Sequence, residues 1–147
     1  MNPKELCSKL NGVIGFPVTP FNDDHSLDLD GHRENVRYML EQPMCALVAA
    51  GGTGELYSLD PDEVRQVVEA TIEEAAGRAP VIAGVGFAGG LAKRLARQAA
   101  DSGADGVLAF PPYYPNADMD GLVDYYSEIA DASGLGVLVY SLSLIHI

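Results

Sequence analysis

The chain has 147 residues, a formal net charge of −12 at pH 7, and 48% hydrophobic against 20% charged residues. This length and balance are typical of one globular domain with its own core. The acidic charge and the lack of a basic stripe argue against a nucleic-acid partner, and no apolar run approaches the roughly 20 residues that span a membrane. The N-terminal segment does not resemble a signal peptide, so we expect a cytoplasmic protein without a membrane partner.

Five short apolar runs alternate with helical patterns along the chain. The runs are continuous rather than alternating, which is typical of parallel strands buried on both faces. They cover residues 13–18, 45–50, 80–85, 106–110 and 135–140. Amphipathic patterns over residues 29–40, 64–75, 91–99 and 122–130 predict helices between them. Asp60 and Glu63 form a capping box with Pro61 at the first helical position, which predicts where the second helix begins.

Two architectures fit this β-α-β order. One is a complete doubly wound sheet of flavodoxin type; the other is the first five units of a (β/α)8 barrel, which typically needs about 250 residues. Polar residues and glycines follow the end of every predicted strand, where barrel enzymes keep their active sites. Five strand ends of a flat sheet could not surround one small ligand. We therefore predict an α/β fold, a truncated (β/α)8 TIM barrel over residues 1–141.

The glycine-rich run from Gly51 to Glu55, after the second predicted strand, is the most informative of these strand ends. Glycines let the backbone approach a ligand closely, so that amide N–H groups can hold a small carboxylate or phosphate. A tight packing turn has the same composition, so the run alone leaves both interpretations open.

Five motifs, taken together, resemble the dihydrodipicolinate synthase / N-acetylneuraminate lyase family in order and spacing. They read Phe16-Pro17-Val18-Thr19-Pro20-Phe21, Gly51-Gly52-Thr53-Gly54-Glu55, Ala83-Gly84-Val85-Gly86, Pro111-Pro112-Tyr113-Tyr114 and Val139-Tyr140. The resemblance implies a class I aldolase or dehydratase that binds a 2-keto acid as a Schiff base on a lysine. It also implies that no metal and no diffusible cofactor is needed, and that the full-length protein is a homo-oligomer.

The resemblance implies roles for three residues in particular. The Thr53 hydroxyl and the amides around Gly52 and Thr53 would bind the keto-acid carboxylate. Tyr140 would be the catalytic phenol that moves protons during Schiff-base formation and bond cleavage. Because a phenol normally titrates near 10, this role needs a hydrogen-bonded and partly desolvated environment.

Four further residues are candidates for the same site. These are Thr19, Glu55, Tyr113 and Tyr114. For the two tyrosines, a place near the site, a subunit contact and an aromatic pair that packs a loop all remain open.

One position departs from the lysine-pathway synthases of the family, which carry two adjacent threonines in this loop. Gly52 stands where the first of them serves a proton relay, and the motif is more similar to the 5-dehydro-4-deoxyglucarate dehydratase branch. Those enzymes remove water and CO₂ from a sugar-derived keto diacid, and a glycine leaves room for a longer substrate. A 4-hydroxy-tetrahydrodipicolinate synthase or another keto-acid aldolase remains an alternative. A non-enzymatic five-stranded anion-binding module is the alternative from another class.

The family's Schiff-base lysine lies on a sixth strand, and none of Lys4, Lys9 and Lys93 is in a position to replace it. We therefore expect the chain by itself to be inactive. We also expect it to aggregate or stay molten, because strands 1 and 5 would have open edges. Residues 142–147 resemble a translated sequencing adapter and are expected to be a non-biological tail, with a genuine apolar strand end as the alternative.

The remaining polar residues predict no further site. His25 and His32 are expected at the surface, and the acidic loop around Asp23 and Asp24 lacks the glycine of an EF-hand. The spacing of Cys7 and Cys45 indicates neither a disulfide framework nor a metal site.

Overall fold

A computed structural model describes residues 1–112 and 117–141 of the protein and contains one parallel sheet flanked by helices. The strands are β1 (Val13–Gly15), β2 (Met44–Ala49), β3 (Val81–Val85), β4 (Gly106–Ala109) and β5 (Gly136–Val139). The helices are α1 (Pro3–Lys9), α2 (Leu29–Leu40), α3 (Pro61–Ala75), α4 (Gly89–Asp101) and α5 (Met119–Ser133), with a 3-10 turn at Leu56–Ser58. Within these described ranges, no helix combines the length and the apolar character that crossing a bilayer requires.

The order of the strands distinguishes the two predicted architectures. The sheet runs β1-β2-β3-β4-β5, and every neighbouring pair is parallel. A flavodoxin-type sheet would place β1 between β2 and β3, whereas here Leu47 of β2 pairs directly with Val81 of β3. Adding each new strand beside the previous one is the arrangement of a (β/α)8 barrel. The prediction of five consecutive barrel units is confirmed.

The central apolar runs, in β2, β3 and β4, are buried on both faces as their pattern predicts, whereas β1 and β5 at the edges of the sheet are partly exposed. All five residues of β3 and the last four of β2 are buried, and α3 packs Val64, Val67 and Val68 into the same core. The capping box at the start of α3 is also present. The Asp60 carboxylate accepts hydrogen bonds from the amides of Asp62 and Glu63, and the Glu63 carboxylate accepts one from the Asp60 amide.

Strand β1 is shorter than the predicted run over residues 13–18. It ends at Gly15, and its register to β2 shifts between Val13 and Ile14. Pro17 follows two residues later and has no N–H to donate to a ladder, so the chain leaves the sheet there. Residues 16–19 consequently form a segment beyond the strand end.

Helix α1 has no counterpart among the predicted elements. Its seven residues are too few to show a periodic pattern, and the helix depends on a cap in which the Asn2 side chain accepts a hydrogen bond from the Glu5 amide. Leu6 is 1% exposed and packs against Gly106 and Gly136, the first residues of β4 and β5. Helix α1 therefore covers the N-terminal end of the sheet, opposite the strand ends that carry the predicted site.

Candidate active site

An open recess of about 540 Å³ lies at the C-terminal ends of the strands and is lined by Phe16, Gly52, Thr53 and Tyr140. Phe16 follows β1, Gly52 and Thr53 follow β2, and Tyr140 follows β5. Three of the four were predicted as site residues from the sequence, and the parallel sheet brings them to one edge. Phe16 belongs to the first motif but was not expected to line the site.

The loop after β2 is a tight turn with its own hydrogen bonds. The Glu55 amide donates to the Gly52 carbonyl at 3.1 Å, and the Leu56 amide donates to the Gly51 carbonyl at 3.2 Å. Within the described part of the chain, the amides of Gly52 and Thr53 donate to no backbone carbonyl. Since unpaired N–H groups beside a recess are suited to an anion, the loop has the donors that carboxylate binding requires.

Thr19 lies beneath this loop and does not line the recess. It is 5% exposed, and its hydroxyl donates to the carbonyl oxygen of Gly54 at 2.7 Å. The residue was a site candidate in the sequence, and the structure places it where it holds the loop. Its hydroxyl ties the segment after β1 to the residue that follows Thr53.

Glu55 is exposed and has a left-handed backbone with φ 56°. It begins the 3-10 turn and is not among the residues that line the recess. The other two candidates, Tyr113 and Tyr114, fall outside the described residues.

A cluster of aromatic rings packs behind Tyr140, which lines the recess. The Phe110 and Tyr140 rings are 4.6 Å apart between centroids, and the Tyr57 ring lies 6.0 Å from Phe110 and 4.7 Å from Phe87. Burial raises the pKa of the Tyr57 phenol, and a hydrogen bond with the Phe87 backbone acts in the opposite direction. The recess itself combines two aromatic side chains, Phe16 and Tyr140, with the polar Thr53, and aromatic residues with a few polar groups are usual in a small-molecule site.

Tyr125 of α5 contacts the backbone of this aromatic cluster. Its hydroxyl lies 3.1 Å from the Phe87 carbonyl oxygen and 3.2 Å from that of Phe110, so that it bridges the ends of β3 and β4. Burial raises the pKa of this phenol well above its usual value, and the group remains a neutral donor at physiological pH. The sequence showed Tyr125 only as one residue of a helix next to another tyrosine.

Gly52 and Gly84, which belong to neighbouring glycine motifs, have different structural roles. A Cβ atom at Gly84 would overlap the carbonyl oxygen of Ala50, so this glycine of β3 lets the loop after β2 pack directly against the strand. A Cβ atom at Gly52 would meet only Phe110, at 3.9 Å, which is an ordinary contact. Gly84 is therefore required by packing, whereas Gly52 leaves room in the recess.

His32 corrects the expectation of a surface histidine. The side chain is 1% exposed, with Nδ1 3.2 Å from the Val18 carbonyl oxygen and Nε2 2.8 Å from the Thr71 hydroxyl. Desolvation by burial lowers its pKa, with a smaller contribution in the same direction from Arg33. Its position in the helix places it on the face of α2 that meets α3, which a single histidine in a mixed pattern does not reveal. His25, by contrast, is exposed as expected.

Two of the three lysines form ion pairs away from the recess. Lys9 lies 3.7 Å from Glu5 on α1, and Lys93 of α4 lies 2.9 Å from Glu128 of α5. Among the described residues, no group of three or more His, Cys, Asp or Glu side chains is arranged to hold a metal ion.

The sequence matches the Dihydrodipicolinate synthetase family over residues 9–144. A "Probable 5-dehydro-4-deoxyglucarate dehydratase" of Rhodococcus opacus is 46% identical over 141 residues, which are 95% of this chain and 46% of the relative. A relative of the same name, numbered 1, from Streptomyces coelicolor is 48% identical over 130 residues, 88% of this chain and 41% of the relative. The chain thus spans about half the length of the curated relatives that it matches.

Solved structures show the same relationship. The dihydrodipicolinate synthase of Oceanobacillus iheyensis superposes with a TM-score of 0.90 at 31% identity, over 97% of this chain and 48% of that one. YagE, a prophage protein of that family from Escherichia coli K12 solved in complex with pyruvate, superposes with a TM-score of 0.86 at 27% identity, over 90% of this chain and 45% of its own. The strand order, the glycine-rich loop and the family match lead to one conclusion: the chain belongs to the dihydrodipicolinate synthetase family.

Proposed function

We propose that this chain forms the first part of a lyase of the 5-dehydro-4-deoxyglucarate dehydratase type, acting on a 2-keto sugar acid through a lysine Schiff base. The observation that carries the proposal is the single recess that brings Gly52, Thr53 and Tyr140 together. The relatives at 46–48% identity named for this activity support the choice of branch.

The carboxylate of the substrate would bind at the loop after β2. The amides of Gly52 and Thr53 and the Thr53 hydroxyl would donate to its oxygens, because these groups line the recess and the amides are not used by the turn. A pyruvate complex has been solved for the relative YagE, and pyruvate is a 2-keto acid of the same type. Thr19 would act on this carboxylate only indirectly, through the Gly54 carbonyl that it holds.

Tyr140 would move protons at the keto carbon. Its ring packs on Phe110, is half-buried and lines the recess, so the phenol would be available to a substrate bound there. Proton transfer by a side chain placed in this way contributes about 10²–10⁴-fold in rate. The nucleophilic lysine would come from outside the segment matched here, since Lys9 and Lys93 are paired away from the recess.

The absence of a side chain at Gly52 supports a substrate longer than pyruvate. Since a Cβ there would have only an ordinary contact with Phe110, the space belongs to the recess and not to packing. A dehydratase substrate with a second carboxylate would use that space. The full protein would be a cytoplasmic homo-oligomer with the keto acid as its small-molecule partner.

The proposal is tested with a chimera that joins residues 1–140 to the remaining portion of the Rhodococcus opacus relative. We expect this completed barrel to convert 5-dehydro-4-deoxyglucarate to 2-oxoglutarate semialdehyde, and borohydride to trap a covalent adduct with the keto acid. Tyr140→Phe should lower kcat about 10²-fold or more, and Thr53→Val should raise KM.

Two outcomes would reject the proposal. Turnover of pyruvate with aspartate semialdehyde, but not of the sugar acid, would assign the chain to the synthase branch. A folded chimera that binds carboxylates without turnover or adduct formation would favour the anion-binding module.

A further inference from the structure

Hydrogen bonds on either side of the Val18–Thr19 peptide join the helix layer to the candidate carboxylate loop. His32 on α2 contacts Thr71 on α3 with Nε2 and the Val18 carbonyl with Nδ1. The next residue, Thr19, donates its hydroxyl to the Gly54 carbonyl at 2.7 Å. His32, Thr71 and Thr19 are all at most 5% exposed, so water does not compete at these side chains.

The chemistry of the partners determines the proton on the ring. A carbonyl oxygen can only accept, so Nδ1 carries the hydrogen and donates to Val18. In the neutral ring Nε2 then carries no hydrogen, so its 2.8 Å contact with the Thr71 hydroxyl competes for the one hydrogen that this hydroxyl donates to the Val67 carbonyl at 2.7 Å. The partners thus assign the donated hydrogen of the ring to the contact with Val18, while the contact with Thr71 depends on a hydrogen that α3 also uses.

We propose that His32 is a positioning residue for the candidate substrate loop, acting through Val18 and Thr19 on Gly54 and hence on the neighbouring Thr53. The segment over residues 16–19 lies beyond the end of β1 and receives no ladder hydrogen bonds there. The bond from His32 supplies the anchor that the sheet does not. The expected effect on substrate binding rests on the proposed function, whereas the anchoring of the loop does not.

A pair of variants separates the two contacts of the ring. The amide nitrogen of Asn can occupy the place of Nδ1, so H32N can keep the bond to Val18 and lose Thr71. The longer Gln places its amide near the position of Nε2, so H32Q can keep Thr71 and lose Val18. T71V removes the Thr71 hydroxyl with little change of shape and serves as the control for lost stability alone.

The primary measurement is amide hydrogen exchange at Glu55 and Leu56, whose N–H groups close the loop. It is made without ligand on the chimera described above. We expect H32Q to raise these exchange rates about tenfold, the effect of one lost hydrogen bond. H32N and T71V should change them by less than about threefold, even where they lower the melting temperature.

The functional measurement is the KM of the chimera for the keto acid. H32Q should raise KM by about tenfold with a smaller change in kcat, because a displaced loop loses binding shared by substrate and transition state. T71V should leave KM within about twofold. Should the chimera fail to bind any keto acid while the exchange results hold, the proposed function fails and the anchoring role stands.

A double-mutant cycle with Thr19→Val covers the case in which H32N does not fold. If His32 acts through Thr19, H32Q should add little to loop exchange once Thr19→Val has cut the connection. Additive effects of the two changes would overturn the proposal. Equal effects of H32Q and T71V on loop exchange would also overturn it.

Discussion

At the scale of single residues, glycines that look alike in the sequence differ in whether they tolerate a side chain. Gly84→Ala should destabilise the fold by about 3 kcal/mol or more, because the new Cβ overlaps the Ala50 carbonyl and neither backbone can move freely. Gly90→Ala on α4 is the matched control, since a Cβ there meets nothing within 4 Å. It should be neutral or stabilise by about 0.5–1 kcal/mol. Urea denaturation of both variants measures the difference, and equal stabilities would contradict this account of Gly84.

The buried imidazole makes stability depend on pH in a defined direction. Burial lowers the pKa of folded His32 below the value of about 6.5 that it has in an unfolded chain. Between the lowered pKa and about pH 6.5, the imidazole is protonated in the unfolded chain and neutral in the folded one. The contribution of His32 to stability is therefore fully present above about pH 6.5 and decreases as the pH falls toward the lowered pKa. In the chimera, the stability difference between the parent sequence and H32Q should therefore be smaller at pH 5.5 than at pH 7.5. A constant difference in urea titrations would show that the pKa of His32 is not lowered in the folded state.

Gly52 offers a test of substrate choice at a position where packing does not interfere. Gly52→Thr restores the hydroxyl of the synthase motif, and its Cβ has room beside Phe110. In the chimera we expect KM for the longer sugar acid to rise by about tenfold or more, since the side chain occupies the recess. Stability should change little. Steady-state kinetics and a thermal melt measure the two effects, and unchanged KM would mean that the substrate does not use this space.

At the scale of elements, the start of α3 determines where the loop after β2 ends. The Asp60 carboxylate accepts from two amides at 2.7 and 2.8 Å. Asp60→Ala should cost about 1 kcal/mol of stability, the usual value of such a cap. Asp60→Asn keeps a cap acceptor and should cost clearly less. Chemical denaturation of the two variants distinguishes loss of the cap from loss of charge.

At the scale of the whole molecule, the outer strands of the sheet influence association. Within the described residues β1 and β5 each pair on one side only, and Val13 and Val139 are 61% and 54% exposed. Exposed apolar strand edges favour edge-to-edge pairing. The chain should therefore self-associate, and the double variant Val13→Lys, Val139→Lys should reduce it. Light scattering at matched concentrations provides the measurement, and a monodisperse wild-type monomer would contradict the expectation.

Most of the barrel architecture could be predicted from the sequence because it depends on local patterns. Continuous apolar runs gave all five strands, and the capping box placed the start of α3. Helix α1 was missed because seven residues show no period and its stability comes from Leu6 against the sheet. The predicted end of β1 at residue 18 lies three residues beyond the observed end at Gly15. The apolar pattern continues through Pro17, although this proline has no N–H to donate to the ladder.

The sequence by itself determined the fold class, the family and three residues of the recess, Gly52, Thr53 and Tyr140. These features are encoded in short motifs, each of which can be recognised within its own segment of the chain. Only the tertiary structure decided the end of β1, the role of Thr19 beneath the loop and the burial of His32. Those depend on contacts between residues far apart in the chain, and a hydroxyl or imidazole has the same sequence signature whether it faces water, a substrate or a buried carbonyl.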